Sequence, residues 1–289
     1  MNILLQKAHI VDGSRESKPQ DILIRNGRIE SISSHIEAEK NTKVWSSPHL
    51  CVSPGWFDVG VQTGDPGFEH REDLRTVAAA AAKGGFTAIA PFPNTQPAIH
   101  SKSEILYIRN TTAGLGVHFY PIGAVSLECA GKDLAELYDM HASGAVAFSD
   151  GKKSVQDAGL LLRAMQYTRA FNGLILNEPH HKTIASGGQM HEGTMSTSLG
   201  LKGLPSLAEE IMVQRDLSLL EYSEGRLHIH LISTAKSVDM IRAAKKAGLQ
   251  VTCSVAVANL FFTDAELRDF DSNWKLLPPL RAQSDADAL

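Results

Sequence analysis

The chain has 289 residues, 43% of them hydrophobic and 21% charged, with a formal net charge of −4. That is the composition of a globular protein of one α/β barrel or two ordinary domains. The mild acidity excludes a nucleic-acid-binding surface, which needs a clustered Lys/Arg face, and no apolar run is long enough to span a bilayer.

Asn2–Ile10 and Asp21–Ile24 read as short strands, and Asn26-Gly27 is a hairpin turn leading into Arg28–Ile32. Val44–Val52 closes this region. Residues 1–52 are therefore expected to form a small β-sheet domain. From residue 53 to 289 the pattern changes to apolar strands alternating with helices. Strands are expected at Val52–Val61, Phe86–Phe92, Val117–Val125, Gly144–Phe148, Gly173–Leu176, Leu227–Ile232 and Leu249–Val255. Helices are expected at Leu74–Lys83, ended by Gly84-Gly85, and at Ser101–Thr111, Asp133–His141, Val155–Phe171, Ser206–Tyr222 and Ala235–Ala247. Such alternation predicts a parallel sheet, and a TIM-type (β/α) barrel is the expected fold class. A closed barrel needs eight strands. Seven are countable, so the barrel is expected to stop before its last strand.

The three cysteines, Cys51, Cys129 and Cys253, are far apart and show no metal spacing. They read as buried free thiols in a reducing compartment, and with no signal-peptide pattern the expected location is cytoplasmic. There is no dinucleotide fingerprint, phosphate loop or Gly-x-Ser-x-Gly elbow.

Residues 54–67 read Pro-Gly-Trp-Phe-Asp-Val-Gly-Val-Gln-Thr-Gly-Asp-Pro-Gly. This resembles the dihydroorotase signature Pro-Gly-x-x-Asp-x-His-x-His-x-Arg-x-Pro-Gly, and the likeness runs along essentially the whole chain. Phe92-Pro93-Asn94-Thr95 is similar to the family's Met-Pro-Asn-Thr. Gly144–Gly151, Gly187–Gly193, Leu199–Pro205 and Glu209-Glu210 are similar to further family segments. The resemblance implies a barrel of the metal-dependent hydrolases acting on cyclic amides, with zinc on histidines and an Arg for the substrate carboxylate.

Those positions are altered in this chain. Gly60 and Gln62 stand in place of the two His, Gly64 in place of the Arg, and Asn177 in place of a third zinc-binding His. Ala258-Asn259 replaces a His-His pair. Zinc needs imidazole, thiolate or carboxylate donors, and Gly60 and Gln62 supply none. What survives is Asn94 at a substrate-binding position and Asp150 and His230 at metal positions. Each has a second reading: Asn94 in a turn, Asp150 as a cap or turn residue, His230 as a hydrogen-bonded interior histidine. His228 shares a strand face with His230, and His180-His181 is a tandem on a loop.

The resemblance then implies a catalytically inactive homologue, with no cofactor expected. Such homologues assemble with aspartate carbamoyltransferase in pyrimidine biosynthesis, and that enzyme and further copies of this chain are the expected partners. The rival expectation is an active hydrolase of dihydroorotase, hydantoinase or allantoinase type, with zinc on His228, His230, Asp150 and His180.

Overall fold

A computed structural model describes residues 2–12 and 18–289. The chain divides into two units, Met1–Trp56 and Phe57–Leu289. The boundary lies four residues beyond the one expected from the sequence, because the first barrel strand begins only at Trp56.

The first unit is a five-stranded sheet. Strands β1 (Asn2–Ile10), β2 (Gln20–Arg25), β3 (Arg28–Ser33) and β4 (Thr42–Ser46) lie in the order β3-β2-β1-β4, and β5 (Cys51–Val52) also pairs with β1. Arg25 opposes Arg28 across the turn. Asn26 and Gly27 sit at φ 49° and 75°, the left-handed pair that a two-residue hairpin requires. Within the closing segment Val44–Val52, the turn at Ser47–Leu50 separates β4 from β5.

The second unit is the (β/α) barrel. Its strands are β6 (Trp56–Val61), β7 (Phe86–Pro91), β8 (His118–Phe119), β9 (Ile122–Gly123), β10 (Ala147–Phe148), β11 (Ile175–Asn177), β14 (Leu227–Ile229) and β15 (Val251–Cys253). A minor ribbon of β12 (Met190–His191) and β13 (Gly203–Leu204) interrupts the sequence. The barrel strands follow chain order, as β6-β7-β8 and β9-β10-β11-β14-β15. The expected strand Val117–Val125 is broken at Tyr120-Pro121, because proline cannot donate to the ladder; Pro121 only accepts, from Val146 N–H at 3.1 Å.

Side chains alternate along each strand. Ile89, Phe148 and Ile175 face the helices and join the large core, while Ala90, Ala147 and Leu176 pack inside the barrel with Ile122 and Phe92. The helices of that outer layer are α1 (Leu74–Lys83), α2 (Lys102–Thr111), α3 (Leu137–Ala142), α4 (Ala158–Arg169), α5 (Thr194–Leu199), α6 (Leu207–Ser223), α7 (Ala235–Lys246), α8 (Val257–Phe261) and α9 (Gln283–Ala288). Asp73 and Ser101 cap α1 and α2 with reciprocal capping boxes. Among the described residues no helix is long and apolar enough to cross a membrane.

Candidate functional site

Barrel active sites are built where the strands end, and in this chain that mouth is packed. Phe92 extends β7, its N–H donating to Val61 O at 2.9 Å. The small side chains Ala90 and Ala147 leave room for its ring inside the barrel. The ring meets His230 edge to face, with centroids 5.2 Å apart at 83°. Gly60 sits opposite at φ +90°, where a Cβ would lie 2.8 Å from the Phe92 ring and 2.9 Å from His230 Nε2. An imidazole at position 60 has no room in this arrangement. Phe92 was the residue whose importance the sequence left unread, although it stands where the family carries Met.

His230 and His228 form a closed polar cluster with Ser254. Ser254 Oγ lies 3.1 Å from His230 Nδ1 and 3.1 Å from His228 Nε2, and accepts from Leu231 N–H at 3.1 Å. His228 Nδ1 is 2.8 Å from Thr252 Oγ1. A hydroxyl has one proton, so it donates to one ring and accepts from the other. Burial, followed by the neighbouring His228, pulls His230 down to about 4. Burial, followed by Lys245, pulls His228 to about 4. Both rings are neutral near pH 7 and committed to hydroxyl partners.

The remaining sequence candidates are structural clamps. Asn94 donates through Nδ2 to Asp150 O (2.9 Å) and accepts at Oδ1 from Lys152 N–H (3.0 Å). A side chain at Gly151, which has φ +60°, would collide with that Asn94 amide. Asp150 turns both carboxylate oxygens to the Ser126 backbone N–H and hydroxyl, and burial holds its pKa above the usual range. Asn177 points out of the barrel, donating to Asp216 Oδ2 at 2.7 Å and accepting from Val155 N–H at 3.1 Å. Gln62 is exposed. Gly64 lies at φ +70° in a tight turn, where a Cβ would meet Glu72 O at 2.6 Å, so the loop as built excludes an arginine there.

The zinc implied by the resemblance does not fit this mouth. Phe92 and Gly60 stand where donors are needed, and Asp150 is held by Ser126. Among the described residues no three His, Cys, Asp or Glu side chains converge on one point. The alternative set of His228, His230, Asp150 and His180 is likewise not brought together. His180 lines a separate cavity with Asp150, while His228 and His230 face Ser254.

The loops at Gly187–Gly193 and Leu199–Pro205 carry a different task. They form the β12–β13 ribbon and close over Arg281, which is 3% exposed. Arg281 donates to Leu204 O (3.1 Å), Ser233 Oγ (3.0 Å) and His191 Nδ1 (3.2 Å), and faces Glu209 at 3.6 Å. An arginine only donates, so His191 Nδ1 must accept; burial and then Arg281 hold its pKa below the usual range. Glu178, passed over in the sequence, is 8% exposed, and its carboxylate has no hydrogen-bond donor among the described residues. Burial pushes it up to about 7 against the opposing pull of Lys152.

A model of the dihydro-orotase-like family matches residues 50–237. The dihydroorotases of Acetivibrio thermocellus and Pelotomaculum thermopropionicum are each 40% identical to this chain, over 99% and 100% of it respectively and 68% of their own length. Among solved structures, an L-hydantoinase (dihydropyrimidinase) from Arthrobacter aurescens superposes with a TM-score of 0.83 at 22% identity, and a D-hydantoinase with 0.79 at 19%. These superpositions cover 99% and 100% of this chain but 65% of each hydantoinase. The chain thus spans about two thirds of the length of the proteins it resembles. It belongs to the dihydroorotase-like family, on the amidohydrolase barrel.

Proposed function

We propose that this chain is a catalytically inactive dihydroorotase homologue that acts in pyrimidine biosynthesis, in the cytoplasm, as a structural or regulatory partner of aspartate carbamoyltransferase. The observation that carries the inactivity is the packing of Phe92 between Gly60 and His230. Hydrolysis of a cyclic amide in this family implies a metal-activated water, and a water without a metal has a pKa of roughly 15.7 against ~7 on zinc. The described residues offer no donor set to hold that metal.

The partnership rests on the resemblance to inactive homologues and on surface chemistry. On α8, Val257 and Phe261 are 70% and 75% exposed and four residues apart, so they share one helical face. Such an apolar face suits a protein contact, with the transferase or a second copy of this chain.

Elemental analysis of the purified protein should find well under one zinc per chain. Dihydroorotate hydrolysis and carbamoyl-aspartate cyclisation should stay at the level of a heat-killed control. Stoichiometric zinc with turnover above that control would overturn the inactive reading. Co-expression with the host's carbamoyltransferase should give one complex on size exclusion, through an interface burying more than ~1,000 Å². Separate elution with a fully active transferase would overturn the partnership alone.

A further inference from the structure

Beside the packed mouth lies an open cavity of about 420 Å³. Its walls carry Lys152, Lys153 and Lys182, together with His180 and Ser154. None of the three lysines is in an ion pair among the described residues. The carboxylate in the lining is Asp150, already engaged by Ser126. The cavity therefore concentrates positive charge that the neighbouring carboxylates of Asp150 and Glu178 offset only in part. Three ammonium groups around one cavity point to an anionic ligand.

The walls are held in place. Gln156 stitches the two lysine-bearing loops together, donating to Ser154 O (3.1 Å) and His180 O (2.9 Å) and accepting from Lys182 N–H (3.0 Å). Arg215 fixes the same segment through Val155 O and Gln156 O, both at 2.9 Å. Asn94 grips it from the other end at Asp150 O and Lys152 N. A loop clamped at both ends gives up little conformational freedom on binding, which is what a preformed site requires.

We propose that this cavity is a binding site for a phosphate monoester of small-metabolite size. Three ammonium point charges favour the more highly charged anion, and a phosphate monoester carries about −1.5 to −2 at pH 7 against −1 for a single carboxylate. The volume lies at the small end of ligand pockets. The site goes beyond the proposed scaffold role and stands whether or not the barrel turns over a substrate.

The test is thermal unfolding of the whole chain with ribose 5-phosphate, with succinate as the carboxylate control, backed by calorimetric titration. Ribose 5-phosphate at ten times its dissociation constant should raise the midpoint by about 3–6 °C. Lys152→Met combined with Lys182→Met should weaken binding at least tenfold. Lys246→Met, on the exposed end of α7, should change nothing. Lys153→Met provides a milder second variant should the double substitution unfold the protein. No response to ribose 5-phosphate, or one undiminished in the lysine variants, would overturn the site. An equal response to succinate would overturn the phosphoryl assignment.

Discussion

Glu178 and Glu209 lie in the walls of the same water-sized cavity of about 10 Å³, and both are nearly shut off from solvent, at 8% and 4% exposure. Glu209 accepts from the backbone N–H groups of Ser233 and Thr234 and from both their hydroxyls, and faces Arg281. Glu178 has no donor among the described residues and is pushed up to about 7 by burial. Depth alone therefore does not decide what a buried charge does. Donors around Glu209 convert burial into a structural knot tying β13, the start of α7 and the segment around Arg281. Without them, burial raises the Glu178 carboxyl to about 7.

The largest expected effect follows from cutting the paired side. Arg281→Met should cost about 3–5 kcal/mol, because it leaves the Glu209 carboxylate buried without its cation. Urea unfolding measures this, and a loss below ~1 kcal/mol would show that the hydroxyls and backbone alone satisfy Glu209.

Restoring the histidines to the mouth should be costly and unproductive. Gly60→His must place a Cβ 2.8 Å from the Phe92 ring at φ +90°. Strain and overpacking together should destabilise by about 2–4 kcal/mol. Gly60→His with Gln62→His should still give no turnover and bind no stoichiometric zinc. Recovered dihydroorotate hydrolysis in that double variant would show that Phe92 yields readily and that the mouth is intact beneath it.

Much of this was legible in the sequence. Six of the seven expected barrel strands were, because near-continuous apolar runs mark strands covered on both sides; the other, Val117–Val125, is broken at Tyr120-Pro121 into β8 and β9. So were the helix Leu74–Lys83 with its stop at Gly84-Gly85 and the turn at Asn26-Gly27. The losses at Gly60, Gln62 and Asn177 were legible only as missing donors. What filled the space could not be read, since the Phe92–Gly60 contact joins residues 32 apart through barrel closure. The roles of Asn94 and Asp150 were equally hidden: a family motif names a residue but not the direction its side chain takes. Glu178 escaped because the importance of this carboxylate lies in the donors it lacks, which only the packing reveals.

Neutralising the unpaired side should do the reverse of breaking the knot. Glu178→Gln keeps the shape and removes an ionisation that the fold opposes above pH 7. An acid whose folded pKa is raised contributes stability in full below its unfolded value and loses it as pH rises through the folded one. The variant should therefore gain on the order of 1–3 kcal/mol over wild type at pH 8 and nearly nothing at pH 4. An equal gain at both values would mean that Glu178 does not titrate in this window.

The smallest effect is a slope. His228 and His230 are buried neutral, with ring pKa values of about 4. In the unfolded chain they take protons near 6.5. Their contribution is thus complete above that pH and is lost as pH falls from 6.5 toward 4, by about 1.4 kcal/mol per unit for each ring at most. Glu178 works against them over part of the same range, since its folded form takes a proton that the unfolded chain releases above about 4.5. Two groups pulling down and one pulling up leave a net decline with acid worth about one group, ~1.4 kcal/mol per pH unit between 6.5 and 4.5. His228→Asn should flatten that slope by up to the same amount, and Glu178→Gln should steepen it. Urea midpoints for the three proteins at pH 4.5, 5.5 and 6.5 measure this ordering. If His228→Asn leaves the slope unchanged, the ring is protonated in the folded state, and the closed hydroxyl cluster around Ser254 is not what holds the histidines neutral.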